Sequence, residues 1–456
     1  MKILFINANQ ERLPDPVPPI GVAYIAAAVH RDGHECSLFD LNFYNDFCDS
    51  LAAKIKEYKP QCIGLSIRNV DNVAYPKVVT YLDHYKKIME VCRNASPQTP
   101  VVVGGSAFSL FPKEFLEALQ ADYGVVGEGE QLFCDLINSL EKHNKPSENL
   151  NPGPSGDSRI YYPVGLSLSF DELVPAREIF DVDTYFREGG SINIQTKRGC
   201  SLRCTYCTYP LLEGIKVRQR DPIKVVDEIE DCLNKYGVDY FFFVDNVFNL
   251  PNHHAIAICD EIIKRKLQIK WTAYVSPLKV SEELFAKFSE AGCSSLDFGI
   301  DAASEIGLYA MDKLFSITDI KDSARWCHKY GIKFSHSLIL GVPGETVESI
   351  EQTISNIIEC KPTAVILLIG VRLYRGTPLA RRLIEEGWIT EEKINIEPVF
   401  YVEEDVREYL VERISDLADQ YPNWIVPGLK KKMNVRFFKR VRSRGVKGPL
   451  WEAFSQ

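Results

Sequence analysis

The chain has 456 residues, is 45% hydrophobic and 25% charged, and carries a formal net charge of −9. Its length suits two to three domains of ordinary globular composition. The acidic balance argues against nucleic acid as a partner, and no apolar run reaches the length of a membrane span.

The first 140 residues alternate strand and helix. Strand-like runs lie at Lys2–Asn7, Glu35–Phe39, Cys62–Ile67, Val101–Val103 and Tyr123–Val126, with helical stretches such as Val22–Arg31 and Lys77–Arg93 between them. Such alternation predicts an α/β fold, a parallel sheet doubly wound by helices in the Rossmann manner. The apolar start, Met1 to Ala8, is too short for a signal peptide and reads as the first strand. Thirteen cysteines in a chain without an export signal point to the reducing cytoplasm. Two glycine turns follow strands, Gly104-Gly105-Ser106 and Gly127-Glu128-Gly129-Glu130. Ligands of such sheets bind at the carboxyl ends of strands, where these turns fall.

Residues 141–160 are polar and rich in Pro, Gly, Ser and Asn, so 141–190 is read as a linker that threads between domains. Over 191–385 the alternation resumes with strands at Ile192–Thr196, Tyr240–Val244, Lys270–Tyr274, Ser294–Gly299, Lys333–Leu340 and Val365–Gly370. Helices follow, among them Ile223–Lys235, His254–Arg265, Glu282–Ala291 and Val347–Ile358. Six βα units predict a partial TIM-type barrel with its site at the carboxyl-end face. Residues 386–456 form a small helical C-terminal region, with an amphipathic helix over Val406–Gln420. A basic tail follows: Lys430–Lys432, Arg436, Lys439, Arg440, Arg442, Arg444 and Lys447, interleaved with Phe437, Phe438 and Trp451. Its composition allows an anionic-lipid or nucleic-acid surface. On an acidic protein an acid-paired face is the favoured reading.

The chemistry concentrates in Gly199-Cys200-Ser201-Leu202-Arg203-Cys204-Thr205-Tyr206-Cys207, a C-x3-C-x2-C loop after the first barrel strand. Three thiolates on one loop can hold three irons of a [4Fe–4S] cluster, leaving the fourth iron open. A structural zinc site would want four ligands, and no second cysteine pair lies nearby. The other ten cysteines, Cys36, Cys48, Cys62, Cys92, Cys134, Cys232, Cys259, Cys293, Cys327 and Cys360, are scattered in apolar segments and read as small buried hydrophobes.

The cysteine loop resembles that of the radical S-adenosylmethionine (SAM) enzymes, in which the open iron chelates the amino and carboxylate groups of SAM. The resemblance continues along the barrel. In that family Tyr206 would pack near the adenine. Asp245-Asn246, ending the second barrel strand, would meet the SAM amino group. Asp301, in Gly299-Ile300-Asp301 where relatives usually have Gly-x-Glu, would contact SAM with a side chain one methylene shorter. Gly341-Val342-Pro343-Gly344-Glu345-Thr346 matches the family's Gly-x-Pro-Gly-Glu-Thr, whose glycines admit the adenine, with Thr346 free to cap the next helix. Arg372 to Thr377 follow the sixth strand in a familiar position.

Pro18-Pro19-Ile20-Gly21, Asp40 and the two glycine turns resemble the cobalamin-binding half of the cobalamin-dependent radical SAM enzymes. The resemblance runs to about Gly376 and implies a nucleotide tail of cobalamin held by Gly104, Gly105, Gly127, Glu128 and Gly129. Classical cobalamin domains place a histidine under cobalt in Asp-x-His-x-x-Gly, and this chain lacks the motif. Ser66-Ile67-Arg68-Asn69 stand where the lower face would lie, and Arg68 would disfavour a ligand water there.

The resemblance implies a methyltransferase that moves a methyl group from SAM by way of methylcobalamin to an unactivated carbon. Rearrangement, cyclisation or C–S chemistry is the alternative within the family. A non-catalytic cobalamin or Fe–S sensor is the alternative outside it. The methylthiotransferases need three further cluster cysteines, and Cys36, Cys48, Cys62 and Cys92 are too widely spaced to supply them. Substrate class stays open among small molecule, lipid and peptide, and an external donor such as flavodoxin or ferredoxin would supply electrons.

Overall fold

In the computed structural model, residues 1–12, 14–164, 170–429 and 440–454 are described. Ile3, Leu4, Phe5 and Ile6 are all buried, so this run is covered on both faces. That is the environment of a central strand in a parallel sheet. The run forms β1 (Lys2–Asn7), joined by β2 (Glu35–Asp40), β3 (Cys62–Ser66), β4 (Val101–Gly104), β5 (Tyr123–Val125) and β6 (Ile160–Tyr161). All pair in parallel in the order β2-β1-β3-β4-β5-β6. The order reverses between β1 and β3, which opens a crevice at their carboxyl ends. β6 lies in the stretch read as linker. A two-residue strand carries no periodicity, and the polar run before it hides it. The helix expected from Lys77 begins at Leu82, because Asp71 and Thr80 first bridge across a short turn.

The second half contains β7 (Ile192–Ile194), β8 (Lys197–Arg198), β9 (Arg218–Gln219), β10 (Tyr240–Phe243), β11 (Lys270–Val275), β12 (Cys293–Asp301), β13 (Lys333–Leu340), β14 (Ala364–Ile369), β15 (Val371–Arg372), β16 (Phe400–Tyr401) and β17 (Trp424–Ile425). Seven of these make a parallel sheet in the order β17-β14-β13-β12-β11-β10-β7. Side chains alternate. Phe242, Thr272, Asp297 and Ile366 line an interior cavity. Phe241, Phe243, Trp271, Leu296 and Phe298 are buried in the hydrophobic core. Phe248 stacks on Phe243 with ring centroids 4.4 Å apart, and Trp271 meets Phe288 edge-on at 5.3 Å.

The C-terminal region is not only helical. Beside the helix Arg407–Gln420 it contributes β16 and β17. It also sends Glu452 to the amino ends of the barrel strands, where the carboxylate accepts from Ser294 Oγ (3.0 Å), Ser295 Oγ (2.5 Å) and the Tyr240 hydroxyl. Of the basic tail, Lys430–Lys432, Arg436, Phe437, Phe438 and Lys439 lie outside the described residues. Within them Arg442 pairs with Asp15 at 2.5 Å and Lys447 with Asp239 at 2.6 Å, while Trp451 is buried.

Charged pairs tie the two halves together. Arg372 reaches Asp71 at 3.0 Å, both side chains almost fully buried. Within the second half, Glu228 sits between Arg220 and Arg177 of the connecting segment, each at 2.6 Å. Deleting one member of such a buried set costs about 3–5 kcal/mol, because the remaining charge loses its partner away from water.

Candidate active site

The antiparallel ribbon β8–β9 brackets the cysteine loop. Gly199 at its start has φ +89°, and a Cβ there would stand 2.3 Å from the Lys216 carbonyl oxygen. Only glycine fits this close approach. The Cys200 amide donates to the Gly214 carbonyl (3.1 Å), and the Cys207 amide to that of Cys204 (3.1 Å). The Thr205 amide donates to the Met311 carbonyl at 3.1 Å, fastening the loop to the segment after β12. All three thiols are half-buried. Three thiols on one loop suit a cluster in which each thiolate meets a different iron. Burial pushes all three thiols up, Cys207 to about 12, and a bound cluster would favour their thiolate form.

Beside the loop, the Tyr206 hydroxyl donates to Asp301, and Lys313 pairs with the same carboxylate. The Lys313 ammonium also lies 5.5 Å from the centre of the Tyr206 ring. Asp301 sits at φ +62°, where the β12–β13 register shifts. Asp245 is held by the protein's own donors. Its two oxygens accept from the Thr196 amide (2.7 Å), the Thr196 hydroxyl and the Lys197 amide (3.1 Å). The carboxylate anchors the segment between β7 and β8. Asn246 donates to Glu213 at 2.8 Å, and Glu213 accepts the Gly199 amide at 2.9 Å.

The Gly341 amide is taken by Glu345 at 2.6 Å and the Gly344 amide by Glu403 at 2.6 Å. Gly341, at φ +89°, lies against Leu410 and Val402. Burial pushes the Glu345 carboxyl up to about 7. Thr346 caps the following helix by accepting the Ser349 amide, as expected.

A cavity of about 820 Å³ runs from the carboxyl ends of β1, β3 and β4 into the barrel. Its walls bring together Ser66, Arg68, Gly104, Gly105, Gly127, Glu128, Gly129 and Asn246. Tyr206, Asp245, Asp301, Gly341, Pro343 and Gly344 are not among its lining residues. No histidine lines it among the described residues. Arg68 is exposed into this space, and its own carbonyl accepts the Ser106 hydroxyl at 2.8 Å. Glu128 lines the cavity, yet its carboxylate is held by Arg218 and, at 3.3 Å, by Arg198. Glu130 takes the other face of Arg198 at 2.6 Å. The two glutamates of Gly-Glu-Gly-Glu thus clamp the first domain onto the ribbon that carries the cysteines. Glu213, Lys313, Arg198 and Arg218 escape sequence reading. They belong to no motif, and their partners are distant in the chain.

A glycine-walled crevice that opens into a barrel, with a three-cysteine loop beside it, leaves room for a large ligand next to a metal cluster. The comparisons agree. Residues 9–137 match the B12 binding domain family and residues 194–357 the Radical SAM superfamily. A Tryptophan 2-C-methyltransferase from Streptomyces laurentii is 26% identical over 450 residues, covering 84% of this chain and 74% of that protein. An uncharacterized methyltransferase from Pyrococcus horikoshii is 29% identical over 365 residues, covering 78% and 77%. The structure of the radical SAM methyltransferase TsrM from Kitasatospora setae with cobalamin and [4Fe–4S] cluster bound superposes with a TM-score of 0.87 at 22% identity, over 99% of this chain and 97% of that one. That last likeness is one of fold. The chain belongs to the cobalamin-dependent radical SAM enzymes, and its cofactors are a [4Fe–4S] cluster, SAM and cobalamin.

Proposed function

We propose that the chain is a methyltransferase that moves a methyl group from SAM, by way of cobalamin, to a carbon of a small-molecule substrate. One observation carries the reading: a single cavity joins the glycine turns of the first domain to the barrel interior, so cobalamin and substrate would share one continuous space. The bound cofactors supply a transferable methyl group and, in a radical route, hydrogen abstraction by way of SAM and the cluster. The chain's own residues fix the distances. The Glu128–Arg218 and Glu130–Arg198 pairs hold the two cofactor loops together, and proximity of this kind governs transfer before quenching. The names of the relatives support the transferase reading.

The three loop cysteines would hold the cluster, and Arg68 would stand under a cobalt that has no histidine ligand. Electrons would come from an external flavodoxin or ferredoxin. All thirteen cysteines are free, which fits a cytoplasmic setting, and no helix among the described residues is long and apolar enough to cross a membrane.

The test supplies reduced holoprotein with methyl-deuterated SAM and an extract of the source cell. A product heavier by one labelled methyl, formed with S-adenosylhomocysteine and only when cobalamin is present, is expected. A product accompanied by 5′-deoxyadenosine but no S-adenosylhomocysteine would move the assignment to rearrangement or cyclisation.

A further inference from the structure

The barrel interior contains one acid that the cofactors do not explain. Asp297 lies midway along β12, opposite Ser335 of β13, and its side chain lines the cavity at 8% exposure. Neighbouring buried acids are satisfied. Glu228 has two arginines, Asp301 has Lys313 and Tyr206, Asp245 has two backbone amides, and Glu452 has three hydroxyls. Asp297 accepts from the Ser337 hydroxyl at 3.0 Å, has the Ser335 hydroxyl beside it, and pairs with no cation among the described residues. Asp301, whose charge acts on it, is itself acidic. A buried carboxylate in this position is costly unless something positive reaches it.

The cavity it faces carries polar groups, Thr272, Asn246 and Arg68 among them, but also a large aromatic and apolar share: Phe242 and Tyr274 lean together with ring centroids 4.9 Å apart, and Tyr209, Ile366 and Trp451 also line the cavity. Tyr209 and Tyr274 keep 43% and 41% of their surface exposed. Aromatic faces beside one carboxylate form an environment for a cation on an apolar body. A carboxylate or phosphate at the same place would be repelled.

We infer that Asp297 is the specificity anchor of the substrate chamber and that the substrate presents an ammonium group to it from a small aromatic or apolar body. The inference rests on the proposed reading of this cavity as the place where substrate meets cobalamin. Burial pushes the Asp297 carboxyl up to about 6, which leaves it mostly ionised at neutral pH and free to take a cation.

Full-length holoprotein is dialysed against tryptamine and phenethylamine and, separately, against their alcohol counterparts tryptophol and 2-phenylethanol. Wild type is expected to hold at least one of the amines about tenfold more tightly than its alcohol. Asp297→Asn, with iron and cobalamin contents unchanged, is expected to erase that preference. Equal binding of amine and alcohol on both scaffolds, or a preference that survives Asp297→Asn, overturns the inference. Should that variant lose its cofactors, a wild-type crystal soaked in tryptamine decides instead. The amine nitrogen is expected on the Asp297 carboxylate, and any other placement, or no bound amine, contradicts it. Failure of methyl transfer with amine binding intact would sink the proposed function and leave the anchor standing. The converse result would do the opposite.

Discussion

Replacing Cys200, Cys204 and Cys207 together by alanine is expected to abolish both the cluster and turnover. Anaerobically reconstituted wild type should hold about four irons and four sulfides per chain, and the triple variant close to none. The loop is otherwise well held. The Cys200 amide is bonded to Gly214 and Thr205 to Met311 through the backbone. Alanine leaves these bonds in place, so the fold should persist while iron is lost. Because the β8–β9 ribbon is also clamped to the first domain through Arg198 and Arg218, cobalamin should still bind to the variant. Colorimetric iron analysis and the visible absorption of the cluster check this. Full iron content in the triple variant would remove the assignment of the cluster to these cysteines.

Gly105→Val is expected to weaken cobalamin binding by at least about tenfold, near 1.4 kcal/mol, without disturbing the cluster. Gly105 has φ +101°, and a Cβ there would stand 2.4 Å from the Ile67 carbonyl oxygen. That oxygen already accepts the Ala107 amide at 3.2 Å, and the Ile67 amide donates to Gly104 at 2.9 Å. A branched side chain would pry the loop after β3 from the turn after β4. Ser66, Arg68 and Gly104, all cavity walls, would move with it. Cobalamin retained after gel filtration, read against iron content, distinguishes a local effect from misfolding. Wild-type retention by Gly105→Val would contradict the role given to this turn.

The sequence carries the parts of this protein that are local. The three-cysteine spacing, the glycine turns after strands and the six barrel strands all lie in short windows where residue type and period speak directly. Thr346 reads as a cap because a cap needs only its own helix. What it does not show is long-range. Arg218 meets Glu128 and Arg372 meets Asp71 across different domains, and nothing in either segment names its partner. β6 and β17 are two residues each and draw their stability from neighbouring strands. Asp245 and Gly341 stand at the strand ends where the resemblance places them, yet their hydrogen-bonding groups are spent on the protein itself, a fact visible only once the loops are folded. Asp297 shows the reverse case. Alternation along β12 puts it inward, but only the assembled barrel shows that no cation comes to meet it.

The account turns on cobalamin occupying the glycine-walled end of the cavity, with Arg68 and no histidine beneath the cobalt. Electron paramagnetic resonance of the desalted, anaerobic Co(II) protein tests this most directly. Cob(II)alamin free in neutral solution shows nitrogen superhyperfine splitting from its own base. The bound form is expected to keep the cobalt hyperfine lines and show no nitrogen splitting. A clear nitrogen triplet on the bound cobalt, or no cobalt signal after desalting, would contradict the account.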